Sequence, residues 1–297
     1  MLSGSKKKSI TIFIIVLSCA TASPAQTHSL EKLWETDAVV AVPESVLPFE
    51  GGKKLYVSLI DGGGWDADGK GGVGKLDPDG KNLNQAWITG LNAPKGMGLV
   101  GKRLYVADIK EVAVINTRDG KIEKRIAIEG AAALNDVTVD NKGIVYVSDS
   151  KMAKIWRIEN DVPTLLLDNV KGVNGLKAVG SNLFIGAGKA FEKADSQKKI
   201  TVVAEMPQGI DGIEPVGNGD FILTGWSGYV FYVYADGRIE SLLDTHLDKK
   251  NSADIGFDPR RKILFVPTFN GKTVAAYRLG KLQTTSNSKA DQKAKKP

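Results

Sequence analysis

A short apolar run recurs six times along this chain at a nearly constant interval: Leu55-Tyr-Val-Ser58, Leu104-Tyr-Val-Ala107, Val145-Tyr-Val-Ser148, Leu183-Phe-Ile-Gly186, Phe221-Ile-Leu-Thr224 and Leu264-Phe-Val-Pro267. The starts are separated by 49, 41, 38, 38 and 43 residues. A period near that length with several short strands per unit matches a β-propeller blade, a sheet that must stack on neighbours around an axis to bury both faces. The sequence therefore predicts an all-β, six-bladed β-propeller with four-stranded blades. The third unit is the clearest, with strands expected at Asp136–Asp140, Ile144–Ser150, Lys154–Asn160 and Pro163–Asp168. Turns such as Asn141-Lys-Gly143, Asp119-Gly120 and Asp236-Gly237 supply residues that tolerate the left-handed conformation. The fourth unit carries charged residues between Gly186 and Lys199, where an irregular loop is expected. The sixth unit ends near Leu279 with three strands, and Leu30–Thr36 is expected to close the ring as its fourth, removing the exposed edges.

Counting back nine to eleven residues from each motif start reaches Glu44, the Pro94-Lys95 pair, Asn135, Asn174, Asp211 and Asp254. In a propeller these positions open the innermost strands at one mouth of the central channel. Glu44, Asn135, Asn174 and Asp211 together form a hard-oxygen set suited to a calcium-sized cation, with magnesium and manganese as alternatives. Zinc and copper are disfavoured, because the chain has one Cys and two His.

The formal charge of +6 sits in the termini: residues 1–25 hold three Lys and no acid, residues 281–297 five Lys and one Asp, and the rest of the chain sums to −1. Nucleic acid is not an expected partner. Residues 1–25 read as an export signal, Lys6, Lys7 and Lys8 preceding an apolar run from Ile10 to Leu17 that is too short to span a bilayer. Cleavage after Ala25 gives a periplasmic or secreted protein, and lipidation at Cys19 gives a membrane-anchored one; both remain open. The propeller is assigned to 26–280 and a disordered basic tail to 281–297. A monomer acting on a small molecule is expected.

The segments Pro43-Glu44-Ser45-Val46, Leu134-Asn135-Asp136-Val137, Asn174-Gly175-Leu176 and Asp211-Gly212-Ile213 resemble, in order, the strand-opening motifs of the gluconolactonase/regucalcin family of six-bladed propellers. The resemblance implies a divalent metal at the channel mouth and hydrolysis of cyclic esters. It implies Glu44, Asn174 and Asp211 as metal ligands, with Asn135 a ligand or a holder of substrate or water. It assigns no role to Asp254. Ala131-Ala132-Ala133 stands where sugar-lactone members carry an arginine, which argues against a sugar substrate. The histidine pair of the related paraoxonases has no counterpart; His28 lies near the signal, and His246 is expected at the surface.

Lactone hydrolysis would need the metal to polarise the carbonyl and a base to take a proton from water. Asp211 is the base the resemblance favours. Asp254, if not a ligand, is the better one physically, because a cation depresses the basicity of a carboxylate it holds. Lys95 could orient an anionic substrate group or be merely ion-paired. Trp226 could line the pocket or pack between blades, and Trp65 could cap it from a lid-like loop over Asp61–Gly72. Gly69-Lys-Gly-Gly-Val-Gly-Lys75 imitates a phosphate-binding loop, but Leu76 replaces its hydroxyl and a strand follows instead of a helix, so nucleotide binding is excluded. The alternatives to a hydrolase are a non-catalytic propeller that binds a small ligand or protein, and lyase-type chemistry, for which no residue speaks.

Overall fold

The computed structural model describes residues 26–282. The export signal with Cys19 and the tail beyond residue 282 lie outside the described residues. Six four-stranded antiparallel sheets are arranged as blades. The innermost strands are Pro43–Phe49, Pro94–Val100, Leu134–Val139, Val173–Val179, Ile210–Pro215 and, in blade six, Gly256–Asp258. Each recurring motif forms the second strand of its blade. These strands read as nearly continuous apolar runs because both faces are covered: Leu55, Tyr56, Val57 and Ser58 are all buried. Six hydrophobic clusters fill the six seams between neighbouring blades.

The closing strand is His28–Glu35, paired antiparallel with Val274–Lys281. It starts two residues before the expected Leu30, and this changes the account of His28. The imidazole is buried, its Nδ1 hydrogen-bonds Glu240 Oε2 at 3.0 Å, and the ring stacks on Tyr232 with centroids 3.9 Å apart. It ties the closing strand to the outer strand of blade five. The expected tail boundary shifts as well, since Lys281 pairs with His28 inside the sheet.

Blade four is regular where a loop was expected. Ala190–Ala194 forms its third strand and pairs on both sides. The charges of Glu192 and Lys193 suggest a loop, yet Phe191 packs into the seam with blade five and Ala194 into the seam with blade three, and both are buried. Blade three matches the expected strands within two residues, and Gly71–Leu76 is a strand, as the exclusion of a phosphate loop required. His246 is exposed and paired with Asp244.

Candidate functional site

A shared irregularity builds the site. In blades one to five the pairing of the first two strands slips at the same place, between Pro43 and Val46, Pro94 and Met97, Leu134 and Val137, Val173 and Leu176, and Ile210 and Ile213. Each slip is a β-bulge, two residues facing one, and a bulge redirects side chains that alternation would send to opposite faces. The bulged pairs are Glu44-Ser45, Lys95-Gly96, Asn135-Asp136, Asn174-Gly175 and Asp211-Gly212. The fourth residue of the recurring motif stabilises three of them: the hydroxyls of Ser58, Ser148 and Thr224 accept the backbone N–H of Ser45, Asp136 and Gly212 at 2.9, 2.9 and 2.7 Å. A hydroxyl there satisfies a donor that the slipped ladder leaves free.

The bulges place three tiers of residues down the channel. The first, at the mouth, holds Glu44, Lys95, Asn135, Asn174 and Asp211. The second holds Ser45, Asp136 and glycines, and the third includes Lys177 and Glu214. Glycine is required where blades crowd the axis: a methyl group at Gly175 would lie 1.9 Å from the Asp211 carbonyl oxygen, and one at Gly96 2.4 Å from Asp136 Oδ1.

Asp254 does not belong to the mouth. The pairing of Gly256 with Phe265 puts Asp254 level with Ser45, with which it forms a parallel bridge, and Ala253 fills the place equivalent to Glu44. The count from the motif was one residue too coarse to separate the two tiers. Asp254 accepts the Ser45 hydroxyl and, with Asp136, Lys177 and Glu214, lines a cavity of about 20 Å³ within the channel. That volume suits one water molecule.

Glu44, Lys95, Asn135 and Asp211 are buried and Asn174 is half-buried. Asn135 donates Nδ2 to Ser150 Oγ at 3.0 Å, leaving its amide oxygen as the remaining acceptor. Glu44 Oε2 is buried with no hydrogen-bond partner. Burial pushes the Glu44 carboxyl up to about 8, the Lys95 ammonium working against the rise and Asp211 and Asp136 adding to it. Burial, then the Asp136 charge, pushes Asp211 up to about 7, opposed by Lys95 and Asn174. Asp136 rises to about 6 through burial, held back by the N–H groups of Leu176 and Val137. Burial, followed by Asp136 and Glu44, raises Asp254 well above the usual carboxylate range. Five carboxylates, Glu44, Asp136, Asp211, Glu214 and Asp254, thus share the channel with two ammonium groups, Lys95 and Lys177, most of them buried.

That excess has two remedies, protons or a cation. The mouth offers two carboxylates, one with an orphaned oxygen, and two carboxamides, a donor set that fits a hard divalent ion. Among the described residues no three His, Cys, Asp or Glu side chains form a metal nest, so a cation here depends on the carboxamides.

Protonation of the metal-free channel has a stability consequence with a definite sign. Glu44, Asp211 and Asp136 keep protons in the folded state up to about 8, 7 and 6, whereas in the unfolded chain they lose them near pH ~4. The folded state therefore binds more protons at these three groups over that interval, and the stability they contribute is fully present below about pH 4 and is lost as pH rises to about 8. Thermal unfolding of chelator-treated protein is expected to show a midpoint several degrees lower at pH 8 than at pH 5.5. A flat or rising profile would contradict this electrostatic picture.

Aromatic side chains rim the mouth. The loop between Lys54–Leu59 and Gly71–Leu76 sets Trp65 over Lys95, whose Nζ lies 4.3 Å from the ring centroid. Trp226 is half-exposed and meets Phe269 edge to face at 5.6 Å, so it stands on the rim and is not wedged between blades. A methyl at Gly64 would lie 4.0 Å from the same Phe269 ring, which places the Trp65 loop beside this pair. Asp136, Lys177 and Glu214 escaped the sequence reading. Their signal was a charge inside an otherwise apolar inner strand; Lys177 and Glu214 pair at 2.8 Å.

No protein-family profile matches the chain. Its fold is similar to that of a gluconolactonase from Xanthomonas campestris, with a TM-score of 0.64 at 16% identity over 84% of this chain and 89% of that one. It is also similar to a catalytically inactive virginiamycin B lyase from Staphylococcus aureus solved with quinupristin, with a TM-score of 0.61 at 15% identity over 84% and 99%. At these identities the likeness concerns the fold. A transcriptional regulator of the helix-turn-helix type from Bacillus thuringiensis is 27% identical over 124 residues, and the chain spans 40% of that relative. The helices among the described residues are two three-residue 3-10 turns, so no recognition helix is present there.

Proposed function

We propose that this chain is a metal-dependent hydrolase of lactones or related esters acting at the channel mouth. The observation that carries the reading is the burial of Glu44 and Asp211 side by side in a carboxylate-rich channel, with one Glu44 oxygen left without a partner. Glu44, Asn174 and Asp211, with Asn135, would hold a divalent cation, calcium by the hardness of its ligands. Such an ion, when bound, supplies Lewis-acid polarisation of an ester carbonyl. Asp211 stands at the mouth, within reach of water there, while Asp254 lies a tier below and is reached only through the channel. This makes Asp211 the first candidate to take the proton. Lys95 is placed to orient an anionic group, and Trp65, Trp226 and Phe269 offer apolar faces to the rest of the substrate. Buried Ala131 and Ala133 give no polar contact for sugar hydroxyls. The Lys6–Lys8 cluster and the apolar run after it support export to the periplasm or beyond, with anchoring through Cys19 as the variant.

The second reading is a non-catalytic propeller that binds a small ligand or protein partner. Lys95 favours it, because an ammonium already inside the ring offsets part of the acid excess without a metal. A panel of aliphatic, aromatic and sugar lactones, assayed with calcium and with chelator, separates the two. Calcium-dependent hydrolysis of a non-sugar lactone is the expected result, and no turnover of any lactone under either condition would favour the binding propeller.

A further inference from the structure

Between blades three and four, on the face opposite the channel mouth, lies a cavity of about 560 Å³. Its origin is legible in the cross-strand rows. Ala194 pairs with Leu183 where the other blades have Leu76, Ile115, Ile158, Val233 and Tyr277. On the other side of Leu183 stands Ala178, where they have Pro48, Leu99, Val139, Pro215 and Phe257. Blade four alone carries alanine at both ends of this row. Its seam with blade three correspondingly has seven fully buried core residues, against nine to twelve in the other five. Two missing side chains on one wall leave space that the rigid blade spacing cannot close.

The cavity is not uniformly apolar. Its floor is Ala178, Leu183, Ala194 and Leu166, while Arg157 reaches it from the blade-three wall, beside its cross-strand neighbour Tyr146. Lys142 and Lys198 stand at its rim and make no ion pair with any described residue. The two acids there are engaged by their own turns: Asp140 Oδ1 accepts the N–H groups of Lys142 and Ile144, and Asp195 Oδ1 those of Gln197 and Lys199, each at 2.9 Å. Arg157 holds the half-exposed Glu159 at 2.8 Å, a partner that another anion can replace.

We infer that this seam is a second ligand site, separate from the channel, for an amphiphilic organic anion whose apolar body fills the space left by Ala178 and Ala194 and whose carboxylate meets Arg157 with Lys142 and Lys198. The volume falls within the usual range for small-molecule sites, and an apolar floor with a few convergent polar groups is their usual character. The inference does not depend on the chemistry at the mouth.

Calorimetric titration with 2-naphthoate and with octanoate tests it, the two probes separating a ring-shaped from a chain-shaped body. Saturable one-to-one binding of at least one probe is expected. Ala194→Ile, which installs the residue of blade three, is expected to abolish that binding while the thermal midpoint stays level or rises. Arg157→Gln is expected to weaken it about tenfold and to leave binding of the neutral 2-naphthalenemethanol unchanged. No saturable binding of either probe to the unaltered protein, or equal binding by folded Ala194→Ile protein, which would place the probe at the channel mouth or elsewhere, overturns the inference.

Discussion

On the proposed function, Asp211→Asn protein is expected to lose lactone hydrolysis by at least about 100-fold, the lower end of what one positioned general base contributes, while remaining folded. The substitution keeps the shape of the side chain and removes its charge. In the metal-free state that charge is already disfavoured, since burial and Asp136 push the Asp211 carboxyl up to about 7. The chelated variant should therefore melt no lower than the chelated parent at pH 8, and the gain in midpoint on adding calcium should shrink. The combination is diagnostic: a structural residue would lose stability first, whereas a ligand or base loses function with stability intact. Steady-state hydrolysis alongside thermal unfolding measures both. Activity within a few-fold of the parent would remove Asp211 from the chemistry.

Lys177→Met is expected to cause the largest loss of stability of any single charge removal in the channel. Lys177 and Glu214 pair at 2.8 Å in the third tier, and 26% of the Lys177 side chain remains accessible to solvent. Lys177 keeps its proton despite burial because Glu214, Asp254 and Asp136 surround it, and its affinity is raised. Deleting the ammonium leaves Glu214 unpaired beside two further carboxylates. Breaking a buried pair from one side costs about 3–5 kcal/mol, or roughly 10 °C in midpoint for a domain of this size. The double variant Lys177→Met with Glu214→Leu should recover most of the loss, because a buried pair replaced on both sides by apolar groups is often neutral. Urea unfolding of the three proteins decides the matter. A loss below about 1 kcal/mol in Lys177→Met would mean that the channel is wetter than its geometry indicates.

The blade count, the closing strand and the mouth residues were legible because they rest on period and on local chemistry. A strand buried on both faces reads as an apolar run, and turn residues mark its ends. What escaped depends on pairing between strands. The bulges that turn both Asn135 and Asp136 into the channel are set by the partner strand, so strict alternation would have sent Asp136 elsewhere. Asp254 sits one tier deeper than a count from the motif places it, because only the pairing of Gly256 with Phe265 and the bridge to Ser45 fix its level. Lys177 and Glu214 each put a charge inside an otherwise apolar inner strand, but the counter-charge that explains it stands on the neighbouring blade, out of reach of a reading along one segment. Glu192 and Lys193 disguised a strand as a loop, because Phe191 and Ala194 are buried on opposite faces of it and leave no period-two pattern to read. His28 was set aside for its nearness to the terminus, and only the pairing with Glu240 shows why a histidine stands there.

In the proposed function, Glu44, Asn135, Asn174 and Asp211 gather around one divalent cation. Thermal unfolding at pH 8, first with chelator and then with calcium in excess, tests it without any assumption about substrate, because an ion bound only by the folded state must stabilise it by mass action. A rise of about 5 °C or more at ~100 times the dissociation constant is expected, reduced in Glu44→Gln protein. An unchanged midpoint with calcium, magnesium and manganese alike would contradict it.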